Sequence, residues 1–275
     1  MDNQTLLRVI SFNLKRDFGF GFRRSRRWKE RKAIAAQFIR ESGATIVGVQ
    51  ELLPGMRKDV QDLLSSEYSI LGFGRYKGLR PKNDEHSDII IKNEEVKVNF
   101  IKTFWLSKKP EKISRAYLAI FPRICTAAEV KIERLGTIRV FNTHLDHISG
   151  IARLFGVKVI LEYISKFNED HPLPTILMGD LNCTPNSRPV KFLTDHVLDF
   201  PDVHLTDVYS KFDPETLSNT FHNFTGKIKL KADPIDYIFV SDEFEIVDSR
   251  IITDPIEGRY PSDHYPLMAT LRLKQ

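Results

Sequence analysis

The chain has 275 residues, of which 41% are hydrophobic and 28% charged, and its formal net charge is +5. This composition is typical of a globular protein and excludes extended disorder, while the apolar stretch near the start is too short and too polar for a secretory leader or a membrane span. The two cysteines, Cys125 and Cys183, do not indicate a disulfide framework. We therefore expect a cytoplasmic monomer with one domain over residues 1–275, because no linker rich in Pro, Gly or Ser divides the chain.

The first half of the chain alternates predicted strands and helices. Residues 6–14 are predicted to form a strand, and residues 28–41 a helix that stops at Gly43. Residues 45–50 form an apolar strand that ends beside Glu51. Further elements are expected at residues 57–64 (helix), 89–91 and 96–103 (strands), and 125–132 with 137–143 (a hairpin about Leu135-Gly136).

The second half repeats this order. Helices are expected at residues 150–167 and 187–194, and strands at residues 175–178, 237–240, 243–252 and 267–273. Strand-helix-strand segments in both halves predict an α/β (α+β) protein with two mixed sheets packed face to face and helices outside. The periodicity alone does not distinguish this arrangement from a doubly wound sheet.

A basic segment precedes the first predicted helix. Seven of the ten residues from Arg23 to Lys32 are Lys or Arg. Such a segment attracts polyanions, but it is equally typical of a solvated loop that leads into a helix. The segment supports an anionic substrate and leaves both readings open.

Six polar motifs interrupt the apolar runs. Five lie at the edge of a predicted strand, and the sixth, which contains Asp236, lies between two apolar runs. A buried strand has little reason to end repeatedly in acidic, amide or imidazole groups unless these groups converge on one site. The motifs are Ser11-Phe12-Asn13, Gln50-Glu51, Asn142-Thr143-His144, Gly179-Asp180-Leu181-Asn182, Ile235-Asp236-Tyr237 and Ser262-Asp263-His264.

In this order, the six motifs resemble those of the endonuclease/exonuclease/phosphatase superfamily, whose fold is DNase I-like, and the resemblance extends over residues 8–271. The runs around Arg123 and Arg259 are similar to those of a poorly characterised bacterial subgroup. The resemblance implies a four-layer α/β/β/α sandwich and a divalent-metal-dependent hydrolase of phosphoester bonds. It also implies Mg²⁺ or Mn²⁺, which prefer oxygen ligands and use only one or two carboxylates.

The resemblance implies three residues at the metal. Glu51 is the expected carboxylate ligand, although an acid at a helix N-terminus is the alternative reading. Asn13 is expected to hold a metal-bound water or to orient Glu51, and Asp263 to be a ligand or an outer carboxylate. Several branches place an acid two residues after the asparagine, whereas this chain has Lys15, which leaves a second metal position open.

By the same resemblance, Asp180 orients or deprotonates the attacking water and Asn182 donates to a phosphoryl oxygen. Strand alternation predicts that these two side chains point the same way. His264 is expected to contact the scissile phosphate, with Asp236 orienting a histidine. His144 is expected to protonate the leaving oxygen or to grip the phosphate, and the branches that use a histidine here resemble pancreatic deoxyribonuclease, sphingomyelinases, inositol phosphatases and deadenylases.

Three further residues are predicted to bind substrate. Arg123 can place its guanidinium on a phosphate, and Arg259 belongs to a loop expected around the pocket, as does Glu85. Strand alternation predicts that His147 lies opposite His144, and both a substrate-side and a solvent-facing role stay open for it.

Several functions are compatible with these residues. We favour a phosphodiester substrate, because the basic segment suits nucleic acid. A phosphomonoester of a small metabolite or a lipid headgroup fits the same motifs, and a hydrolysis screen separates them. A non-catalytic binding module predicts loss of the polar motifs, and a zinc enzyme predicts paired Cys or a His-Glu-x-x-His helix. Neither pattern is present.

Overall fold

The computed structural model describes residues 5–17, 19, 24–195 and 199–274, in which two six-stranded sheets and four α-helices are found. The strands are β1 (Leu7–Asn13), β2 (Ile46–Leu52), β3 (Tyr68–Leu71), β4 (His86–Lys92), β5 (Val96–Trp105), β6 (Ile124–Ile132), β7 (Gly136–His144), β8 (Thr175–Asp180), β9 (Leu205–Asp207), β10 (Asp236–Ser241), β11 (Phe244–Ile251) and β12 (Leu267–Leu273). The helices are α1 (Trp28–Ser42), α2 (Pro54–Leu64), α3 (Gly150–Asp170) and α4 (Arg188–Asp195).

The sheets have the orders β11-β12-β1-β2-β4-β3 and β5-β6-β7-β8-β10-β9. Both are mixed, because β1 pairs with β2 and β7 with β8 in parallel while the other neighbours are antiparallel. The predicted short strand at residues 89–91 extends to all of β4, and β3 and β9 lie where the sequence predicted no strand. Both are short strands at sheet edges, which carry a weak alternation signal.

The core lies in three layers, which confirms the predicted four-layer sandwich. Side chains such as Val9 and Ile176 meet between the two sheets. Helices α1 and α2 cover the outer face of the first sheet, and α3 and α4 cover that of the second. The central strands are buried on both faces, which explains why β2 is apolar almost throughout.

A tight, polar contact joins the two sheets near one end. A Cβ on Gly48 would lie 2.5 Å from the Met178 sulfur, so only glycine permits this approach. Asn142 spans the gap, since its amide nitrogen donates to the carbonyls of Val49 and Asp88 at 2.9 and 2.7 Å. Gln50 donates to the Asn142 carbonyl oxygen at 2.7 Å. The carboxyl ends of the central strands are thereby held at one edge of the sandwich.

The strand register brings the polar motifs to this edge. His144 pairs with Asp180 across β7 and β8, and Asp180 pairs with Asp236 across β8 and β10. Because β10 is antiparallel to β8, its first residue lies where β8 ends. This explains why Asp236 lies at the start of its strand and not at the end.

None of the helices in the described part of the chain is long and apolar enough to cross a membrane.

Candidate active site

The carboxylate of Asp180, at the end of β8, lies at the centre of the site. Its Oδ2 accepts a hydrogen bond from Asn13 Nδ2 at 2.9 Å and lies 3.6 Å from His144 Nε2 and 3.9 Å from His264 Nε2. Burial by itself raises the pKa of Asp180, but the two imidazoles and the Asn13 hydrogen bond leave that pKa below its ordinary value. Asp180 is therefore an anion with two histidines beside one of its oxygens.

The first histidine, His264, is held by Asp236. Its Nδ1 lies 2.9 Å from Asp236 Oδ2, and both side chains are buried. Burial lowers the pKa of His264, but Asp236, Asp180 and Asp263 together raise that pKa to about 10. His264 is therefore an imidazolium at neutral pH, with Nε2 directed to the Asp180 side of the site.

The second histidine, His144, is placed by a carboxylate that sequence reasoning assigned only to a surrounding loop. Glu85 Oε1 lies 3.5 Å from His144 Nδ1, and its carboxylate also contacts Arg16, Arg75 and Arg123 at 3.2–3.4 Å. Burial raises the pKa of Glu85, but His144 and the guanidinium groups bring that pKa well below its usual range. No strand-end motif marks Glu85, because it lies one residue before β4.

Glu51 provides a second carboxylate beside Asp180. Its φ is +64°, a left-handed conformation that costs a non-glycine residue about 1–2 kcal/mol. The backbone N–H of Arg16 and the amide of Asn13 hold its two oxygens at 2.9 and 3.1 Å. Strain that local hydrogen bonds maintain in this way is common at functional sites.

The donor set suits a hard divalent cation. One ligand atom from each of Glu51, His144 and Asp180 lies within 4.8 Å of the other two. Two of these three groups are carboxylates, as Mg²⁺ and Mn²⁺ prefer. The amide nitrogen of Asn13 faces both carboxylates while its oxygen accepts from Lys15 N at 2.9 Å, so Asn13 orients the acids.

A lysine joins the third predicted metal residue to this set. Lys15 Nζ lies 3.4 Å from Asp263 Oδ2 and 3.9 Å from Glu51 Oε2. Burial lowers the pKa of Lys15, but the carboxylates of Glu51, Asp263 and Asp180 raise it above its ordinary value. An ammonium group therefore lies where many relatives were expected to carry an acid, and it neutralises part of the negative charge.

Most of these groups line one cavity of about 500 Å³. Its lining combines the carboxylates of Glu51 and Asp180 with the guanidinium groups of Arg75 and Arg123. The lining residues are Lys15, Arg16, Glu51, Arg75, Asn83, Glu85, Phe121, Arg123, His144, His147, Asp180, Asn182, Phe221, Ile235 and His264.

Comparison with known proteins identifies this arrangement. The sequence matches the model of the Endonuclease/Exonuclease/phosphatase family over residues 10–264. The chain belongs to this family. A search of the curated proteins found no match.

Solved structures share the whole architecture. An endonuclease/exonuclease/phosphatase family protein from Bacteroides thetaiotaomicron is 30% identical, with a TM-score of 0.88 over 99% of this chain and 96% of that one. The mannosyl-6-phosphatase Bt3783 of the same organism is also 30% identical, with a TM-score of 0.87 over 96% and 99% of the two chains. The human Nocturnin catalytic domain, at 17% identity and a TM-score of 0.72 over 99% and 97%, is similar in fold.

The predicted substrate residues are only partly brought together. Arg123 and His147 both line the cavity, and Arg123 Nη2 lies 2.9 Å from His147 Nδ1. The expectation that His147 lies opposite His144 is wrong, because β7 ends at His144 and strand alternation ends with it. Arg259 is exposed and contacts Glu257 at 3.2 Å, outside the cavity lining. Its role in substrate binding remains a prediction.

Asn182 lines the cavity as expected of a site residue, but the strand alternation that predicted the direction of its side chain does not extend to it. The strand ends at Asp180, and Asn182 has a φ of +51°. Its backbone N–H donates to Asp180 Oδ1 at 2.9 Å, and Nδ2 donates to the Leu145 carbonyl at 3.1 Å. An amide carries two N–H groups, so one hydrogen bond to Leu145 leaves the other for a ligand.

One residue of the basic segment, Arg31, has a structural role. Arg23 lies outside the described residues, and none of the described residues from 24 to 32 lines the cavity. The buried Arg31 guanidinium donates to the carbonyls of Leu14, Lys15, Arg26 and Pro261 at 2.6–2.8 Å. Arg31 therefore ties the end of β1 to the loop that carries Asp263 and His264.

Proposed function

We propose that the protein is a divalent-metal-dependent phosphoester hydrolase whose substrate carries a phosphorylated group small enough to enter the cavity. The observation that carries this proposal is the convergence of two acid–histidine pairs, Glu85–His144 and Asp236–His264, on Asp180 beside Glu51. A module that only binds ligands has no need for four buried carboxylates, and these would cost stability without a chemical role.

The chain's own residues divide the chemistry among them. A Mg²⁺ or Mn²⁺ ion held by Glu51, with Asn13 and Asp263 beside it, would supply charge neutralisation at a phosphoryl oxygen. Asp180, an anion at neutral pH, orients the attacking water and accepts its proton. His264 donates a hydrogen bond to a non-bridging oxygen, since Asp236 keeps it protonated.

The remaining groups act on the leaving group and on the orientation of the phosphate. His144 donates a proton from Nε2 to the leaving oxygen while Glu85 holds its Nδ1 side. The second amide N–H of Asn182 contacts a phosphoryl oxygen. Arg123 and His147 bind the part of the substrate on the far side of the cavity.

Three observations support a small phosphorylated group over the polynucleotide that the basic segment favoured. The cavity of about 500 Å³ lies within the range of small-molecule sites, about 300–1,000 Å³. Arg31 is buried in backbone contacts and is not available to a phosphate chain. The solved structure of a mannosyl-6-phosphatase is similar over almost its full length.

A substrate panel tests the proposal. Purified protein with Mg²⁺ or Mn²⁺ is offered sugar phosphates, inositol phosphates, sphingomyelin, p-nitrophenyl phosphate, bis(p-nitrophenyl) phosphate, DNA and RNA. We expect the highest kcat/KM for a substrate with a small phosphorylated group, and loss of turnover in excess chelator. Full turnover in chelator contradicts the metal role, and a clear preference for DNA or RNA contradicts the size argument.

A further inference from the structure

A cluster of exposed apolar side chains lies beside the mouth of the cavity. Tyr117 is 79% exposed and Ile151 is 61% exposed, and exposed apolar side chains grouped together are typical of an interaction surface. We call this cluster the rim patch. It consists of Ile113, Tyr117, Leu118, Ile120, Ile148 and Ile151.

The rim patch is a built surface, because its two segments are packed together underneath. A turn closes with a hydrogen bond from Ala119 N to the Ala116 carbonyl at 3.1 Å. Both alanines are buried against Ala152 and Phe155 of α3. The small residues thus anchor the loop to the helix, and the large apolar side chains on either side point outward.

The turn places leucine where glycine is usual. Leu118 has a φ of +64°, at the third position of a four-residue turn that favours glycine or asparagine. A left-handed leucine costs about 1–2 kcal/mol and leaves its side chain 54% exposed. Leu118 therefore contributes little to the stability of the turn through burial, and its side chain is free to contact a partner.

Several exposed basic side chains lie close to the rim patch in sequence, and one of them, Arg115, donates to the Ala119 and Ile120 carbonyls at 3.2 and 3.3 Å. Lys108, Lys109, Lys112 and Arg115 are all exposed and precede the turn. In the part of the chain that the structure describes, no carboxylate lies within ion-pair distance of the three lysines. The only acid among them, Glu111, is already paired with Lys102 at 2.8 Å.

The rim patch is continuous with the candidate active site. Phe121 and Arg123 follow the turn and line the cavity, and His147, which precedes Ile148, lines it from the other segment. A surface that covered the patch would face the cavity mouth.

We propose that the rim patch docks the protein on an anionic lipid surface, with the apolar side chains entering the interface and the cations contacting lipid phosphates. This combination of exposed apolar groups and clustered lysines is what such surfaces bind. A second copy of the chain would place the same cations against each other, and the net charge of +5 opposes it further. The identity of the substrate rests on the proposed function: it is then a phosphoester presented at that lipid surface.

Vesicle binding tests the docking. Wild-type protein is sedimented with vesicles of phosphatidylcholine alone or with phosphatidylserine, at rising salt concentrations. We expect binding only to the anionic vesicles, with an affinity that falls as salt rises. The double variant Tyr117→Ser, Leu118→Ser should bind the anionic vesicles about tenfold or more weakly than the wild type. The double variant Lys109→Ala, Lys112→Ala should bind them about 25-fold more weakly, at about fivefold for each cation.

Matched controls carry the same changes at the other end of the sandwich. Leu6→Ser replaces a leucine that is 51% exposed just before β1, and Lys97→Ala with Lys131→Ala removes two exposed, paired strand lysines. Both should bind anionic vesicles as wild type does. Turnover of soluble p-nitrophenyl phosphate should be unchanged in every variant, which shows that each one is folded.

The turnover and vesicle assays distinguish a failure of the proposed function from a failure of the docking proposal. Absence of turnover with soluble esters refutes the proposed function and leaves the vesicle result valid on its own. Turnover without binding to anionic vesicles overturns the docking proposal, as does equal binding by the Tyr117/Leu118 variant. A wild-type dimer that this variant converts to a monomer, without vesicle binding, would assign the rim patch to a second copy instead.

Discussion

Replacing Asp236 with asparagine should lower the pKa of His264, which the wild type holds as an imidazolium. Asp236 Oδ2 lies 2.9 Å from His264 Nδ1, and this carboxylate makes the largest favourable contribution to the raised pKa of about 10. The interval from 6.5 to about 10 corresponds to roughly 5 kcal/mol of preference for the imidazolium. Asp236→Asn keeps the shape and removes the charge that raises this pKa most, so the pKa of His264 should fall well below its wild-type value.

Histidine NMR measures this directly. In the wild type, the His264 Cε1–H signal should stay constant from pH 6 to pH 9 and titrate near pH 10. In Asp236→Asn it should titrate at a clearly lower pH than in the wild type. Asp233→Asn, which removes an exposed acid three residues earlier, is the matched control and should leave the His264 titration unchanged.

The same shift predicts a pH dependence of stability. A raised pKa in the folded state stabilises the protein fully below the unfolded value of 6.5, and this stabilisation is lost as the pH rises through about 10. The free energy of unfolding of the wild type should therefore fall between these pH values, by up to about 5 kcal/mol, and Asp236→Asn should lose this slope. A wild-type His264 that titrates near 6.5, or an unchanged slope in the variant, would refute the assignment.

Three other perturbations test the remaining contacts. Glu51→Gln should weaken Mn²⁺ binding by more than about tenfold in calorimetric titration while the circular dichroism spectrum is retained; unchanged affinity would exclude Glu51 as a ligand. Glu85→Gln should weaken His144 as the acid and lower kcat about 10²-fold or more for an alkyl phosphate. The loss should be far smaller for p-nitrophenyl phosphate, whose leaving group needs little protonation. Equal losses for the two substrates would contradict the acid role of His144. Arg31→Met should lower the free energy of unfolding, measured by urea denaturation, by about 3–5 kcal/mol, because it leaves buried carbonyls without a hydrogen-bond donor. The control Lys32→Met should lower it by less than about 1 kcal/mol. Equal losses would contradict the structural role of Arg31.

The sequence by itself indicated most of the strands and the polar residues at their ends, whereas the four-layer architecture was implied by the family resemblance and not by periodicity. Apolar runs that end in polar motifs predicted both the central strands and their active edge, because alternation and burial are local properties of the chain. Asn13, Glu51, His144 and Asp180 lie together because they are at or near the carboxyl ends of strands of the parallel pairs, and Asp236 joins them because its antiparallel strand begins at the same edge.

The tertiary structure alone decided which partners these residues have. Glu85 lies in a loop far from His144 in sequence, so no spacing rule connects them, and only packing brings them to 3.5 Å. The same holds for Arg31, which the sequence placed only in a basic segment with two open readings and which packing places against the carbonyls of two separate segments. The placement of His147 followed from where β7 ends, and a strand boundary depends on long-range hydrogen bonds that a sequence pattern does not contain.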